Sequence, residues 1–162
     1  MPVTPVAAPT QFLTFVLAGE EYALDILRVR EIIAYDTLTR VPGMPECVRG
    51  MINLRGRVVP VVDLALRFGL PASAITPRTS IVMVELPAAD GELVVGVITD
   101  AVSEVLDLDA ERVQPTPSFG TSVGGEFLNG LAERTDGSSK FVMLLNIDRA
   151  LDPSAFASGD AR

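Results

Sequence analysis

The side chains that most often carry out enzyme chemistry are sparse in this sequence. The 162-residue chain contains no histidine, which excludes a Ser-His-Asp triad, a Cys-His pair and a metal site with histidine ligands. Cys47 is the single cysteine, so no disulfide can form within the chain. Asp107, Asp109 and Glu111 are close enough in sequence to suggest calcium, but the spacing and the glycine of an EF-hand loop are absent. We therefore predict no catalytic residue, no cofactor and no metal site.

Charge and hydropathy argue against two further classes of partner. The chain has a net charge of −8 and a sequence pI of about 4.5, and its lysines and arginines do not cluster. Nucleic acid and anionic lipid both favour basic surfaces, so we predict that neither is a partner. The longest apolar runs, such as residues 58–62 and 141–145, are far shorter than the ~20 residues of a membrane-spanning helix. The first ten residues also lack the features of a signal peptide, so we expect a cytoplasmic protein without membrane insertion.

Two Arg-Gly pairs interrupt the most apolar segment of the chain, RGMINLRGRVVPVVDL at residues 49–64. Glycine permits a bulge, or a close approach of two backbones, where a strand bends from one sheet into the next. We therefore assign Gly50, Asn53 and Gly56 to a structural bend of the kind that a small β-barrel requires.

Arg55, in the second pair, has two interpretations. Its guanidinium carries five donors in a fixed geometry, so it could bind backbone carbonyls at the bend. It could equally lie at a groove and face a partner. Arg49 and Arg57, by contrast, are expected to be solvated surface residues.

The pattern along the chain predicts an all-β fold with short helices. Apolar alternation with a period of two, bounded by glycine and proline turns, is typical of strands. Residues 26–33 fit helical spacing as well as a short strand, and their β-branched content favours the strand. Asp63 is a suitable N-cap for a helix over residues 64–68, and Asn146 for one ending at Leu151. The other predicted elements are strands over residues 12–17, 22–26, 58–62, 78–86, 93–99 and 141–145, a flexible N-terminal arm over 1–10, a helical turn at 109–112 and a flexible C-terminal tail over 152–162.

A weak internal repeat predicts that the fold contains two similar units. Aligning Glu31 with Glu104 matches YALDILRVREII to VVGVITDAVSEVL at an offset of 73 residues. Gly50 then matches Gly130 at an offset of 80, and VVPVVDL matches FVMLLNI at an offset of 83. Growing offsets are what loop insertions produce. The sequence therefore indicates a duplicated unit.

Each unit would contain about five strands, too few to bury a sizeable core alone. We expect subdomain one over residues 12–80 and subdomain two over residues 81–151, with some interchange of strands between them. Two small barrels that share an interface would solve the burial problem and leave a groove where they meet, which is a frequent place for binding sites.

Three segments together resemble the CheW family of bacterial chemotaxis coupling proteins. They are FLTFVLAGEEYALDILRVREII, then VPGMPECVRGMINLRGRVVPVVDL, and then VVGVITDAVSEV with a downstream Pro-x-Pro. The resemblance implies two five-stranded SH3-like barrels within one domain over residues 11–151. It also implies a non-enzymatic adaptor that couples the cytoplasmic helical hairpin of a methyl-accepting chemoreceptor to the CheW-like regulatory domain of the chemotaxis histidine kinase. Such an adaptor helps to control the autophosphorylation of the kinase within receptor arrays, where other coupling subunits can join it in rings.

The same resemblance implies where a receptor would bind. Val29 and Glu31 match the family's Val-x-Glu-Ile segment, and Arg55 matches the arginine of Asn-Leu-Arg-Gly. Val102 and Val105 match Val-Ser-x-Val-Leu. These five residues are therefore expected to contact the receptor, whereas kinase contacts are implied only for the far ends of the barrels. Without the resemblance, the two valines Val29 and Val102 could be plain core residues and Glu31 an ordinary exposed strand residue.

Two other functions stay open from the sequence. A CheW-like coupling protein could serve a different receptor–kinase system, such as one that controls pili or development. A small-molecule-binding barrel or a hydrolase could instead use the groove, although the missing histidine disfavours it.

Overall fold

The computed structural model describes residues 11–88, 91–108, 113–114, 127–134 and 140–151. Within these ranges the chain forms eleven strands and two short helices. The strands are β1 (Gln11–Leu17), β2 (Glu20–Asp25), β3 (Val29–Ala34), β4 (Val48–Leu54), β5 (Arg57–Asp63), β6 (Ser80–Ala88), β7 (Gly91–Thr99), β8 (Ala101–Asp107), β9 (Val113–Gln114), β10 (Leu128–Glu133) and β11 (Phe141–Leu145). The helices are α1 (Leu64–Arg67) and α2 (Ile147–Ala150), and a 3-10 turn, Ile26–Arg28, connects β2 to β3. The arm, the tail and the helical turn predicted at 109–112 lie outside the described residues.

The middle of the chain forms a five-stranded barrel, which we call the middle barrel. Its strand order is β3-β6-β7-β5-β4. Thr39, which follows β3, closes this sheet by exchanging two backbone hydrogen bonds of 2.9 and 2.7 Å with Met51 on β4. The buried apolar residues of its interior are Val59, Val61, Ile81, Met83, Val94 and Ile98.

The two ends of the described chain form a second barrel, which we call the terminal barrel. Its strand order is β8-β1-β2-β11-β10-β9. β9 follows β8 in the chain and pairs with β10 at the opposite edge, so it closes this sheet as Thr39 closes the other. The buried residues of its interior are Ala23, Leu108, Ala132, Val142 and Leu144.

The two barrels have the same strand order once the internal repeat is applied. The offsets carry β2 onto β7, β3 onto β8 and β5 onto β11, and each strand of such a pair occupies the same place in its sheet. However, the hairpin β1–β2 belongs to the terminal barrel and the hairpin β6–β7 to the middle barrel. The two units thus exchange their first hairpins, and the expected boundaries at residues 12–80 and 81–151 do not separate the two sheets.

The connection between β7 and β8 gives one physical reason for the exchange. Asp100 alone separates these strands, whereas a hairpin needs about two residues in its turn. β8 therefore cannot fold back on β7 and continues into the other sheet. There the backbone N–H of Asp100 donates to the carbonyl oxygen of Val16 at 2.9 Å, and β8 pairs with β1.

A third apolar cluster, which we call the shared core, draws buried residues from both barrels. A row of aromatic rings runs through it, with centroid distances of 5.8 Å for Phe15–Tyr22, 5.8 Å for Tyr22–Phe68 and 5.2 Å for Phe68–Phe127. These separations are typical of favourable ring packing. Because each barrel is small, the shared core supplies burial that neither could provide alone.

Both short helices begin at the predicted capping residues. The Asp63 carboxylate accepts a hydrogen bond from the backbone N–H of Ala65 at 3.0 Å, and the Asn146 carbonyl oxygen accepts one from that of Arg149 at 3.2 Å. These bonds satisfy N–H groups that have no partner inside a helix. The prediction of an all-β fold with short helices is confirmed. Within the described ranges, none of the helices is long and apolar enough to cross a bilayer.

Candidate partner-binding site

Glu31 and Arg55 come together at the surface of the middle barrel. Glu31 lies on β3, and Arg55 begins the two-residue turn between β4 and β5. The Arg55 guanidinium donates two hydrogen bonds to the Glu31 carboxylate, Nη1 to Oε1 and Nη2 to Oε2, each of 2.8 Å. Bidentate contacts of this kind combine strength with geometric specificity. Within the described residues, the Arg55 guanidinium thus hydrogen-bonds a carboxylate and no backbone carbonyl. This matches the interpretation in which Arg55 lies at a groove and faces a partner.

The conformation of the turn presents Arg55 to Glu31. Arg55 and Gly56 both have positive φ angles, 53° and 86°, as in a type I′ hairpin turn. The side-chain oxygen of Asn53 accepts a hydrogen bond from the backbone N–H of Gly56 at 2.8 Å. A positive φ is uncommon for a residue with a side chain, so the turn holds Arg55 in a conformation that few residues adopt.

The Glu31–Arg55 pair is open to solvent. The Arg55 side chain is 72% exposed and that of Glu31 is 27% exposed. The hydrogen bond from Arg55 lowers the pKa of the Glu31 carboxyl, and the same bond raises the pKa of Arg55. Both groups are therefore charged at neutral pH. Because water screens an exposed pair, its contribution to stability is small.

A cavity of about 190 Å³ opens beside the pair. Its polar lining includes Arg30 and Arg57 in addition to the pair itself, and Arg30 binds Glu85 at 2.7 Å. Arg57 is exposed, as predicted. The apolar part of the lining consists of Leu54, Val59, Met83 and Val94. The charged pair thus borders apolar surface.

The three predicted valines lie on strands β3 and β8, each of which forms one edge of its sheet. Val29 and Val102 occupy equivalent positions in the repeat, and both are half-buried against the shared core. Val105 is 49% exposed, and its equivalent Ile32 is 42% exposed. Each edge strand therefore presents one half-buried and one exposed apolar residue at the same spacing. The five predicted contact residues are divided between the two barrels.

Gly50 lies at an irregularity of β4, where the register with β5 shifts. A Cβ atom at this position would lie 2.7 Å from the carbonyl oxygen of Thr39, the residue that closes the middle barrel. Gly130 has the same relation to the carbonyl oxygen of Gln114 in the terminal barrel, at 2.5 Å. The absence of a side chain lets the closing backbone approach in both barrels.

The described residues contain no group of three or more acidic, cysteine or histidine side chains placed to hold a metal ion. Asp109 and Glu111, which suggested calcium, lie outside those residues.

Comparison with known proteins decides the family. A family model described as a CheW-like domain matches residues 11–154. The chain belongs to the CheW family. The chemotaxis protein CheW of Klebsiella aerogenes is 35% identical over 150 residues, which cover 93% of this chain and 86% of that protein. The chemotaxis protein CheW of Rhizobium meliloti is 34% identical over 121 residues, which cover 75% of this chain and 76% of that protein.

A solved structure of another CheW-family member has the same fold. The crystal structure of the scaffolding protein TtCheW from Thermoanaerobacter tengcongensis superimposes with a TM-score of 0.74 and 32% sequence identity. The match covers 90% of this chain and 89% of that chain. The family resemblance seen in the sequence is confirmed.

One expectation about this CheW-family chain is wrong. Arg49 is not a solvated surface residue, because its side chain is 35% exposed and its guanidinium lies 3.6 Å from the Asp63 carboxylate, which is 1% exposed. A buried carboxylate needs a nearby positive charge or hydrogen bonds. The hairpin register, which places Val48 opposite Val62, puts Arg49 beside the cap of α1 and could have revealed the contact.

Arg28 connects the two barrels and was not singled out from the sequence. Its Nε and Nη2 atoms donate to the carbonyl oxygen of Glu85 on β6, at 3.0 and 2.8 Å. Nη2 also donates to the Asp148 carboxylate on α2 at 2.6 Å, and the hydrogen bond with Asp148 raises the pKa of Arg28. No sequence motif marks this residue, because its partners are distant in the chain.

The terminal barrel of the CheW-family fold has its own arginine–carboxylate contact. Arg134 binds Glu104 at 2.6 Å and also binds Glu21. Glu104 is the repeat equivalent of Glu31. The Arg134 side chain is 11% exposed, so this contact is more enclosed than the one between Glu31 and Arg55.

Proposed function

We propose that the chain is a non-enzymatic adaptor of a chemotaxis receptor array. It binds the cytoplasmic helical hairpin of a methyl-accepting chemoreceptor and the CheW-like regulatory domain of the chemotaxis histidine kinase, and it helps to control autophosphorylation of that kinase. Its place would be the cytoplasm, at the inner face of the membrane that carries the receptors, where it joins other coupling subunits. Its relatives are named as a chemotaxis protein and a scaffolding protein, which supports this assignment.

The observation that carries the receptor assignment is the exposed bidentate pair of Glu31 and Arg55. A pair that contributes little to stability can exchange hydrogen bonds with a partner without weakening the fold. Complementary charges across an interface fix the register of the partner and exclude wrong partners. Glu31 and Arg55 therefore provide the polar part of the proposed contact.

Val29, Val102 and Val105 provide the apolar part of the proposed contact. Val29 and Val102 pack against the shared core, one from each barrel, and Val105 is exposed on the same strand as Val102. An amphipathic helix has an apolar face of the required kind. A helical hairpin that carries charges next to that face matches the valines and the charged pair together.

The alternative circuit, one that serves pili or development, has no stronger support. The relatives with 34–35% identity to this chain are named chemotaxis proteins. We therefore place this chain in a chemotaxis circuit.

Co-sedimentation of the full chain with a receptor cytoplasmic fragment and the kinase tests the proposal. Glu31→Lys replaces the carboxylate with a like charge to Arg55, and we expect receptor binding to weaken by at least about tenfold. Glu133→Lys is the matched control, because Glu133 is an exposed residue of β10 in the terminal barrel and the change in charge is the same.

Kinase control is measured in the same samples as ATP-dependent autophosphorylation. The wild-type chain and Glu133→Lys should both couple the receptor to the kinase, whereas Glu31→Lys should not. Unchanged receptor binding and unchanged kinase control with Glu31→Lys would show that the receptor site is elsewhere.

A further inference from the structure

A second cavity of the middle barrel, of about 510 Å³, is not part of the surface around Glu31 and Arg55. It lies between the connection from β3 to β4, the first residues of β4 and helix α1. It shares no lining residue with the cavity beside the Glu31–Arg55 pair. We call it the basic cavity, because Arg40 and Arg49 line it with a single carboxylate, that of Glu46.

Arg49 offers hydrogen-bond donors to the basic cavity. Asp63 is the one carboxylate within 4 Å of its guanidinium among the described residues, and the separation of 3.6 Å exceeds hydrogen-bond length. The Asp63 oxygens already accept hydrogen bonds from Ala65 N at 3.0 Å, Ser73 N at 2.9 Å and Ser73 Oγ at 3.0 Å. The Arg49 guanidinium therefore makes no hydrogen bond within the described residues, although it carries five N–H donors.

The charge of the basic cavity is opposite to that of the whole chain. The side chains that line it are two arginines and one glutamate, a net +1, in a chain whose net charge is −8. The Asp63 carboxylate behind Arg49 is 1% exposed and does not line the cavity. Val41, Met44 and Leu66 supply apolar lining beside these charges. A bare inorganic anion would leave that apolar surface wet, whereas a carboxylate on an apolar segment would cover it.

The terminal barrel shows that this charge is not a general property of the fold. In the repeat, Arg49 corresponds to Asn129 and Asp63 to Asn146, and the Asn146 amide donates to the Asn129 side-chain oxygen at 3.0 Å. Those two asparagines line a cavity of about 220 Å³. Its charged lining is Asp25, Arg28 and Asp148, which gives 1 − 2 = −1.

We propose that the basic cavity binds an acidic side chain, glutamate or aspartate, that a partner protein carries within an apolar segment. Arg49 donates to the carboxylate from inside the cavity, Arg40 donates from its exposed position, and the apolar lining packs against the neighbouring side chains. This contact is independent of the receptor assignment, because it uses no residue of the Glu31–Arg55 surface.

The probe is the capped peptide acetyl-Leu-Glu-Leu-amide, with acetyl-Leu-Gln-Leu-amide and inorganic phosphate as comparisons. Binding to the full chain is followed by the NMR signal of the Met44 methyl group, which lines the cavity. We expect a saturable shift with the glutamate peptide and binding about tenfold weaker with the glutamine peptide, because a charge-assisted hydrogen bond is lost. Phosphate should shift the signal less than the glutamate peptide does.

Two variants locate the contact. Arg40→Gln and Arg49→Gln should each weaken binding of the glutamate peptide by about tenfold. Arg40 is exposed, so its variant remains informative even if Arg49→Gln destabilises the chain through Asp63. Arg78→Gln is the matched control, since Arg78 is exposed and does not line this cavity, and it should bind as the wild type does.

Four results would overturn the proposal. Equal shifts with the two peptides would show that the carboxylate is not recognised, and a phosphate shift as large as that of the glutamate peptide would show a site for small anions only. Full binding by Arg40→Gln would show that the exposed arginine does not hold the carboxylate, which contradicts the proposed contact. A Met44 shift that grows with protein concentration without peptide would mean that a second copy of this chain, not a separate partner, occupies the cavity.

Discussion

The middle and terminal barrels share their strand order but differ in where they expose charge. In the terminal barrel, Arg134 is 11% exposed and is held by two carboxylates. In the middle barrel, Arg55 is 72% exposed and is held by one. The enclosed contact ties the residue after β10 to β2 and β8, whereas the open contact remains available to a partner. The equivalent glutamates Glu31 and Glu104 thus lie in an open ion pair in one barrel and an enclosed one in the other.

The same division is seen at the helix caps. Asp63 and Asn146 cap equivalent helices, but the carboxylate recruits Arg49 while the amide pairs with Asn129. The capping function needs only an oxygen acceptor, which both residues supply. Capping therefore does not require the charge of Asp63. This charge is present in the barrel that contains the basic cavity and absent from the other.

The shared core should make the two barrels unfold together. Phe68 is 4% exposed and contacts both Tyr22 and Phe127, so Phe68→Ala should lower the free energy of unfolding by about 3–5 kcal/mol. Denaturant titration gives this loss, and amide hydrogen exchange should show lower protection in both barrels. Loss of protection in one barrel alone would mean that the barrels unfold independently. Ile75→Ala, at a residue that is 50% exposed, should change stability by less than about 0.5 kcal/mol.

The closing glycines should be equally intolerant of a side chain in the two barrels. Gly50→Ala and Gly130→Ala should each cost about 2–4 kcal/mol, because overpacking against a carbonyl adds to backbone strain. Gly19→Ala is the control: Gly19 has a φ of 85° but no atom within 4 Å of an added Cβ, so strain alone should cost about 1–2 kcal/mol. Thermal unfolding of the three variants measures the difference. If Gly50→Ala is no worse than Gly19→Ala, the close approach of Thr39 does not constrain the barrel.

Sequence reasoning reached the features that are local or that the repeat preserves. The pairing of Gly50 with Gly130, the caps at Asp63 and Asn146 and the all-β pattern each depend on a few neighbouring residues. Some interchange of strands was expected, but which hairpins exchange could not be predicted in this way, because pairing between distant strands is decided by packing against the shared core. Only the short connection at Asp100 hinted at it.

The candidate site could likewise be predicted only in part from the sequence. The resemblance identified Glu31 and Arg55 separately, and the structure shows that they form one bidentate unit. Arg28 was not singled out because its acceptor, the Glu85 carbonyl, is 57 residues away. Arg49 was wrongly expected to be solvated because Asp63, the carboxylate near it, lies on the opposite strand. Contacts of this kind follow from register and topology, which composition and spacing do not reveal.

Replacing Asp63 tests whether the middle barrel needs the charge that the terminal barrel lacks. Asp63→Asn removes one acceptor from a residue that is 1% exposed and serves Ala65 and Ser73, so it should cost about 1–3 kcal/mol. The double change Arg49→Asn with Asp63→Asn copies the terminal barrel and should recover part of that loss, because the amides can pair. Denaturant titration distinguishes the two variants. If the double variant is less stable than Asp63→Asn, Arg49 stabilises the barrel through contacts other than Asp63.

Exchanging the charges of the open pair separates its two roles. The double variant Glu31→Arg with Arg55→Glu preserves an ion pair between the same positions, so its stability should stay close to that of the wild type. If the receptor recognises the positions of the two charges, it should bind this double variant at least about tenfold more weakly than it binds the wild type. Thermal unfolding and receptor co-sedimentation are the two measurements. Full receptor binding by the exchanged pair would reduce Glu31 and Arg55 to a structural contact like that of Arg134.

The smallest expected effect is the pH dependence of the open pair. Arg55 lowers the pKa of Glu31 in the folded chain below its ordinary value of 4.5, so the pair stabilises the fold fully above that ordinary value. The contribution is lost as the pH falls through the lowered folded-state pKa, where the carboxyl takes up a proton. The difference in Tm between the wild type and Glu31→Gln should therefore be small at pH 7 and vanish toward pH 3. A difference that grows on acidification would reverse the sign of this linkage and would mean that Glu31 is more stable in its protonated form, which the bidentate geometry does not allow.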